Sequence, residues 1–300
     1  MVYEHPLAYV LGLEGIALMR AFAGEYDRDF TEARIAEVRR LLDDASLAHG
    51  GVEAARLEPP EGYGIWADTY DAPNPAFGFD EPLVTRIAAR LPSGVALDAA
   101  CGTGRIAALL AGYGHRVLGV DSSPGMLDRA RLRVPEGDFR AGDLRELPVD
   151  DRAVDLAVCS LALTHVPELR PVLAEFARVL QPGGQLVLTD VHPERVARCM
   201  IPTVRRPDGS PGRPASYVHR TGDYLRAALS AGLQVCACDE PEMPPAEPRA
   251  PREEPDWPGP WDVWPWSLAG LVREAADAAG AGVPAMLQWH FRKPGPPGAD

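Results

Sequence analysis

"LDAACGTGRIAALLAGYGHRVLGVDSS", residues 97–123, decides the fold, and it carries two overlapping glycine patterns. Read from Gly102 it is G-x-G-x-x-A with an acid, Asp121, about 20 residues downstream, the pattern of a nicotinamide-dinucleotide site. Read from Asp98 it is acid-x-A-x-G-x-G, a loop preceded by a carboxylate. In both frames small residues let the backbone approach a ligand, and free N–H groups at the next helix start favour an anionic group. The frames differ in the charge they tolerate. A pyrophosphate beside Asp98 is unfavourable, whereas a ligand that brings its own ammonium there is favourable.

Outward from this stretch the chain alternates. Val95–Ala99 reads as a strand before the glycine loop, followed by a helix and by "HRVLGVD" as a second strand. "MLDRARLRV" is helical, "FRAGD" is a third strand and "VDLAVCSLAL" a buried fourth. The amphipathic "ELRPVLAEFARVL" leads into "QPGGQLVLTD", a turn and a fifth strand. "DYLRAALSAG" is a helix, "LQVCACDE" a sixth strand, and "PAMLQWHFRK" a seventh. Strands alternating with helices predict an α/β class: a doubly wound, mostly parallel sheet with helices on both faces. Right-handed crossovers then put a ligand at the carboxyl ends of the strands, where the strand order reverses.

Before the sheet, apolar positions at helical spacing (Leu7, Val10, Leu11, Ile16, Met19, Phe22, then Ile35, Val38, Leu42) mark residues 1–60 as a helical segment, a lid or a dimerisation element. Residues 61–300 form the second domain. It carries an insertion at 191–222 on the substrate side and a loop at 241–266 with nine prolines and four of the six tryptophans.

Three hundred residues, 46% hydrophobic, can bury a substantial core. The net charge of −13 argues against a duplex nucleic-acid partner, which needs a basic face. Five cysteines without a C-x-x-C pair fit a reducing cytoplasm and no metal site. Glu14 and Arg20 interrupt the one apolar N-terminal run, so neither a signal peptide nor a membrane span is expected.

Three features favour the frame read from Asp98: the acid itself, Asp143 ending the third strand in "AGDLRELP" as an acceptor for an adenine amino group, and the lack of a second catalytic domain. Together, "LDAACGTGRIA", "VLGVDSSPGMLDRAR", "AGDLRELP" and "ARVLQPGGQLVLTD" resemble the class I S-adenosylmethionine-dependent methyltransferases, most closely small-molecule enzymes of bacterial secondary metabolism. The match runs from about Tyr63 to Lys293. The resemblance implies a Rossmann-like, seven-stranded sheet with its last strand antiparallel, S-adenosylmethionine as cofactor and S-adenosylhomocysteine as product. It places Asp98, Ala100, Gly102 and Gly104 around the methionine part. Asp121, with Ser122 beside it, takes the ribose hydroxyls, Met126 lies beside the adenine, and Asp143 and Leu144 are the adenine pair. Ser160 and Leu161 lie at the methionine end, and Tyr63, Trp66 and Tyr70 are lid candidates. The family usually has glycine at the position of Ala100. Alanine costs little there if its φ is negative and crowds the cofactor if φ is positive.

Methyl transfer is an in-line displacement, largely a matter of positioning, and needs a base only if the nucleophile must lose a proton. His165 in "LALTHVPEL" leads the candidates, against the alternative that it packs or caps the next helix. His192 in "TDVHPE" is balanced against a plain loop histidine, and His219 in "SYVHR" has Tyr217 beside it. The tryptophans at 257, 261, 264 and 266 either wall an apolar substrate pocket or staple their loop to the body. "CSLALTH" is not the N-P-P-Y type of segment of nucleobase and glutamine methylases, which with the acidic charge points to a small-molecule acceptor. Three rivals stand beside this reading: a cofactor-binding enzyme of the same fold with a non-methylation reaction, an NAD-dependent oxidoreductase, and a degenerate binding or scaffolding protein. A homodimer through the N-terminal helices and a cytoplasmic location complete the expectations.

Overall fold

The computed structural model describes residues 1–48, 50–67, 70–71, 76–201, 203–243 and 261–295. The chain divides into two compact units. The larger comprises 58–198, 215–242 and the residues from 284 on; the smaller comprises 1–57, 199–214 and 243–283.

The larger unit is built on seven strands: β1 (Val95–Ala99), β2 (Arg116–Asp121), β3 (Asp138–Ala141), β4 (Val154–Ser160), β5 (Leu180–Val191), β6 (Gln234–Asp239) and β7 (Met286–Arg292). Their order across the sheet is β6-β7-β5-β4-β1-β2-β3. β1 to β5 pair in parallel, and β7 runs antiparallel to both β5 and β6. Strand order reverses between β1 and β4, which opens a crevice at their carboxyl ends.

The sheet is buried on both faces, and the alternation of each strand shows how. Leu97, Leu118, Ala157, Leu186 and Leu188 point to a core with Phe176, Tyr224 and Trp289. Ala96, Val117, Leu156, Val158 and Val187 point the other way, to Leu83, Ile106, Leu110 and Leu127. Near-continuous apolar strands of this kind belong to parallel sheets covered on both sides. β6 lies at the edge and carries a bulge at Cys236, since Val235 and Ala237 face the consecutive residues Phe291 and His290.

The smaller unit departs from the sequence boundaries. Residues 1–60 are not a wholly helical segment: two helices, Pro6–Phe22 and Arg28–Asp43, are flanked by strands Val2–Glu4 and Val52–Leu57. The expected insertion at 191–222 is split. Its strands Val204–Arg205 and Pro211–Pro214 complete a four-stranded sheet with the two N-terminal strands, while the chain from Ala215 returns to the larger unit. Much of the proline- and tryptophan-rich loop, Trp257 included, lies outside the described residues. Of the rest, Trp261 and Trp264 are buried with Val10, Leu13, Ala17, Leu41 and Ala275. The Trp261 indole N–H donates to Glu4 Oε2 at 2.9 Å. These two rings therefore belong to the core of the smaller unit, as a staple of their loop would, while Trp266 is half-exposed. Among the described residues no helix is long and apolar enough to cross a membrane.

Candidate active site

β1 ends at Ala99, and the chain must turn sharply to start the helix Arg105–Gly112. It does so through three residues with positive φ: Ala100 at 58°, Gly102 at 52° and Gly104 at 81°. The two glycines serve different ends. A side chain on Gly102 would meet nothing closer than Tyr70 at 3.9 Å, so only its backbone geometry calls for glycine. A Cβ on Gly104 would lie 3.0 Å from the Ala130 Cα, so this residue lets the helix Pro124–Arg133 pack close, and it does not line the cavity. Ala100 holds the left-handed conformation without being glycine, at a cost of roughly 1–2 kcal/mol. Leu161, at the end of β4, does the same with φ 56°. Both residues line the cavity, and strain of this kind gathers at functional sites.

That cavity holds roughly 420 Å³ at the carboxyl ends of the central strands, within the 300–1,000 Å³ usual for small-molecule sites. Eleven of the sequence candidates line it: Tyr63, Tyr70, Ala100, Gly102, Asp121, Ser122, Asp143, Leu144, Ser160, Leu161 and His165. Asp98, Gly104, Met126, Trp66, His192 and His219 do not.

Each departure has a physical reason. Asp98 is fully buried behind the loop, bonded to the Ala107 N–H at the helix start, and one of its oxygens has no partner. Burial pushes its carboxyl up to about 7, against the Ala107 N–H and the Arg105 guanidinium, which lower it. Met126 packs inward at 1% exposure. Trp66 turns its edge to Tyr63, 5.1 Å away. His192 is an N-cap, its Nδ1 accepting from the Glu194 N–H at 3.3 Å. His219 donates through Nε2 to the Val166 carbonyl at 2.7 Å.

On the cavity wall the acids are distinct. Asp121 accepts the Gly102 N–H and the Ser123 N–H, each at 2.8 Å, so it braces the glycine loop from below. Burial raises its carboxyl, and the N–H bonds of residues 102, 122 and 123 oppose this. Asp143 is half-exposed and bonded by Arg145 through Nε (2.9 Å) and Nη2 (2.6 Å). These bonds hold its carboxyl below the usual range.

Another part of the lining is mostly apolar around one imidazole. His165 sits in the short turn Leu163–His165 that follows β4, edge-on to Tyr63 at 5.2 Å. Its Nδ1 lies 2.6 Å from the Ala215 carbonyl, which can only accept, so the proton is on Nδ1 and Nε2 keeps its lone pair. Burial holds the imidazole below its ordinary pKa. His165 is therefore neutral at pH 7, in the tautomer a base requires. Ala162, Val166, Pro167 and Tyr217 complete this part.

Sequence reasoning missed Glu58, Arg145 and Asp190. Glu58 lines the cavity from the start of the helix Pro59–Trp66, where no motif marks it, and Arg145 from within "AGDLRELP", next to the adenine pair the motif was read for. Asp190 had a signal: it closes "LVLTD" as Asp121 closes "LGVD", an acid at the carboxyl end of a buried strand.

The residues present suit a cofactor with an adenosine and an ammonium. Asp121 and Asp143 offer carboxylates to hydroxyls and an amino group, and the unpartnered oxygen of Asp98 lies behind the loop. Residues 97–188 match the family model described as a methyltransferase domain. Over 169 residues the chain is 32% identical to a demethylmenaquinone methyltransferase of Renibacterium salmoninarum, covering 51% of this chain and 70% of that one. Over 95 residues it is 38% identical to a malonyl-(acyl-carrier protein) O-methyltransferase of Yersinia pestis, covering 32% of this chain and 36% of the relative, so the match spans about a third of that protein's length. Among solved structures, the (4+2)-cyclase SpnF superposes with a TM-score of 0.50 at 20% identity, over 81% of this chain and 100% of that one, a likeness of fold alone.

Proposed function

We propose a methyl-transfer function for this chain, which belongs to the class I S-adenosylmethionine-dependent methyltransferases. The acceptor in this reading is a small, largely apolar molecule of the kind met in natural-product pathways. One observation carries it. One cavity is lined both by cofactor-type carboxylates and by a mostly apolar group of residues around the imidazole of His165.

S-adenosylmethionine, when bound, supplies a methyl group on a positively charged sulfur. The chain's own residues do the rest. In this reading Asp121 takes the ribose hydroxyls, Asp143 and Leu144 meet the adenine, and Ser122 borders the ribose. Asp98 answers the ammonium through the glycine loop of Ala100 and Gly102. Ser160 and Leu161 face the methionine end, where the Ser160 hydroxyl is already shared with Thr189 Oγ1 at 2.9 Å. Tyr63 and Tyr70 line the cavity, and an aromatic face beside a sulfonium is favourable. They also exclude water, which strengthens the electrostatics inside. Tyr63, Tyr217, Leu161, Ala162 and Val166 offer area to an apolar acceptor. Acceptor atoms that must lose a proton meet the lone pair of His165 Nε2. The relatives' names specify different acceptors, so the acceptor class here rests on the cavity wall.

The test is transfer of a radiolabelled methyl group from S-adenosylmethionine in a bacterial cell extract with the purified protein. Label is expected in the solvent-extractable small-molecule fraction, with none above background for Asp121→Ala. Label recovered in protein or nucleic acid would contradict the reading.

A further inference from the structure

We propose that Asp190 is a positioning residue for His165, a buried carboxylate that fixes the turn carrying the base and supports the positive charge the imidazole takes on; this rests on the methyl-transfer reading. Asp190 lies near the carboxyl end of β5, 2% exposed. Its Oδ2 accepts the Thr164 N–H at 2.6 Å, and its Oδ1 accepts the Thr164 hydroxyl at 2.8 Å and the Val191 N–H at 2.7 Å. The Tyr224 hydroxyl bonds to it as well. Burial pushes this carboxyl up, while the Thr164 and Val191 donors and the nearby His165 favour its ionised, acceptor-only form.

Thr164 is the residue before His165, so two bonds to Asp190 pin the turn from behind. A second set of bonds pins it from the side. The segment 215–219 meets the turn through His165 Nδ1–H to the Ala215 carbonyl, the Tyr217 N–H to the Thr164 carbonyl at 2.8 Å, and His219 Nε2–H to the Val166 carbonyl. The imidazole thus has a fixed position and a fixed tautomer.

An anchor alone does not need a charge. A neutral side chain can accept the Thr164 N–H, and burying a carboxylate costs several kcal/mol unless it is well bonded. What the charge adds is a negative potential at the imidazole. The groups facing His165 are Asp190 from β5, Tyr63 from the helix Pro59–Trp66 and Tyr217 from the segment 215–219; Tyr224 faces Asp190 from the helix Thr221–Ser230. Burial drives the Tyr63 and Tyr224 hydroxyls well up, so both stay neutral and the Asp190 charge is the one His165 feels. It raises the imidazole's basicity while burial lowers it.

In the reaction, Nε2 takes the acceptor's proton as the acceptor atom bonds to the methyl carbon. The carbon–sulfur electron pair stays on sulfur, and the imidazolium returns its proton to solvent. Asp190 lowers the energy of that imidazolium without touching the acceptor.

The test is the titration of His165 in the full-length protein by histidine-selective NMR, assigned with His165→Gln, in wild type and Asp190→Asn. The amide oxygen of Asn can still accept the Thr164 N–H, so the variant removes mainly charge. The expected result is a His165 midpoint lowered by about half a pH unit or more, a threefold or greater loss of basicity. S-adenosylmethionine affinity should stay within about twofold. An unchanged midpoint in a folded variant would overturn the proposal. Should Asp190→Asn not fold, the wild-type Asp190 carboxyl carbon decides. Its shift must move through the His165 midpoint, and a flat shift there overturns the proposal equally. Failure of the wild type to bind S-adenosylmethionine would instead strike the methyl-transfer reading, and leave the coupling measurable.

Discussion

Asp98 in the larger unit and Glu14 in the smaller are both fully buried carboxyls, and burial pushes each up to about 7. Both also keep one oxygen without a partner. Their surroundings differ. Asp98 lies behind a strained glycine loop that opens on a cavity. Glu14, on the helix Pro6–Phe22, accepts from Arg34 at 3.2 Å, and Arg34 reaches on to Glu274 at 2.5 Å. That cluster ties together three stretches far apart in sequence, within a core of Leu13, Ala17, Leu41 and Ala275. A shifted carboxyl points to chemistry only with a cavity before it; elsewhere the same shift marks a structural ion pair.

The largest expected effect would separate the two acids outright. Asp98→Asn should weaken S-adenosylmethionine binding by about 100-fold, or roughly 2.7 kcal/mol, because a buried charge facing an ammonium is lost. Glu14→Gln should leave that affinity within twofold. Calorimetry on both variants checks this, and equal losses would erase the distinction.

The pH dependence sharpens it. The ammonium binds the ionised form of Asp98, whose carboxyl titrates at about 7 without ligand, so affinity should rise with pH through 7. The expected loss between pH 8 and pH 6 is about tenfold. Asp98→Asn should flatten this profile, and Glu14→Gln should not.

Stability gives the converse. The folded Glu14 carboxyl, at about 7, holds its proton more tightly than the ordinary glutamate carboxyl of the unfolded chain, at 4.5. Its contribution is fully present below 4.5 and is lost as pH rises through 7. Wild type should therefore lose unfolding free energy relative to Glu14→Gln across that window, measured by urea denaturation at several pH values. Parallel curves would contradict the burial of Glu14. The smallest effect is local: Ala100→Gly should raise stability by about 1 kcal/mol by relieving the left-handed alanine, seen as a melting shift of a few degrees. A lower melting temperature would mean that the loop is unstrained.

The larger unit was legible because its signals are local. Apolar runs, a glycine loop and an acid at the end of β2 all lie between Val95 and Asp121. The smaller unit was not, because its sheet pairs Ala55–Leu57 with Gly212–Pro214 across more than half the chain. "PGRP" also carries prolines that a single sequence reads as loop. Within the site, spacing identified glycines and histidines but not their tasks. Gly104 answers to Ala130 and His219 to the Val166 carbonyl, partners set by tertiary packing, while His192 caps the helix that begins beside it, a local task the spacing does not tell from a ligand's. The positive φ of Ala100 was the one strain posed in advance by the sequence, and it is found.

The most direct test of the central claim, that the loop is built for S-adenosylmethionine and read from Asp98, is calorimetric titration. Wild type and Asp121→Ala would each be titrated with S-adenosylmethionine, S-adenosylhomocysteine and NAD. Micromolar binding of the first two by wild type, lost in the variant and absent for NAD, is the predicted result. Binding of NAD alone would contradict the account and return the loop to the frame that begins at Gly102.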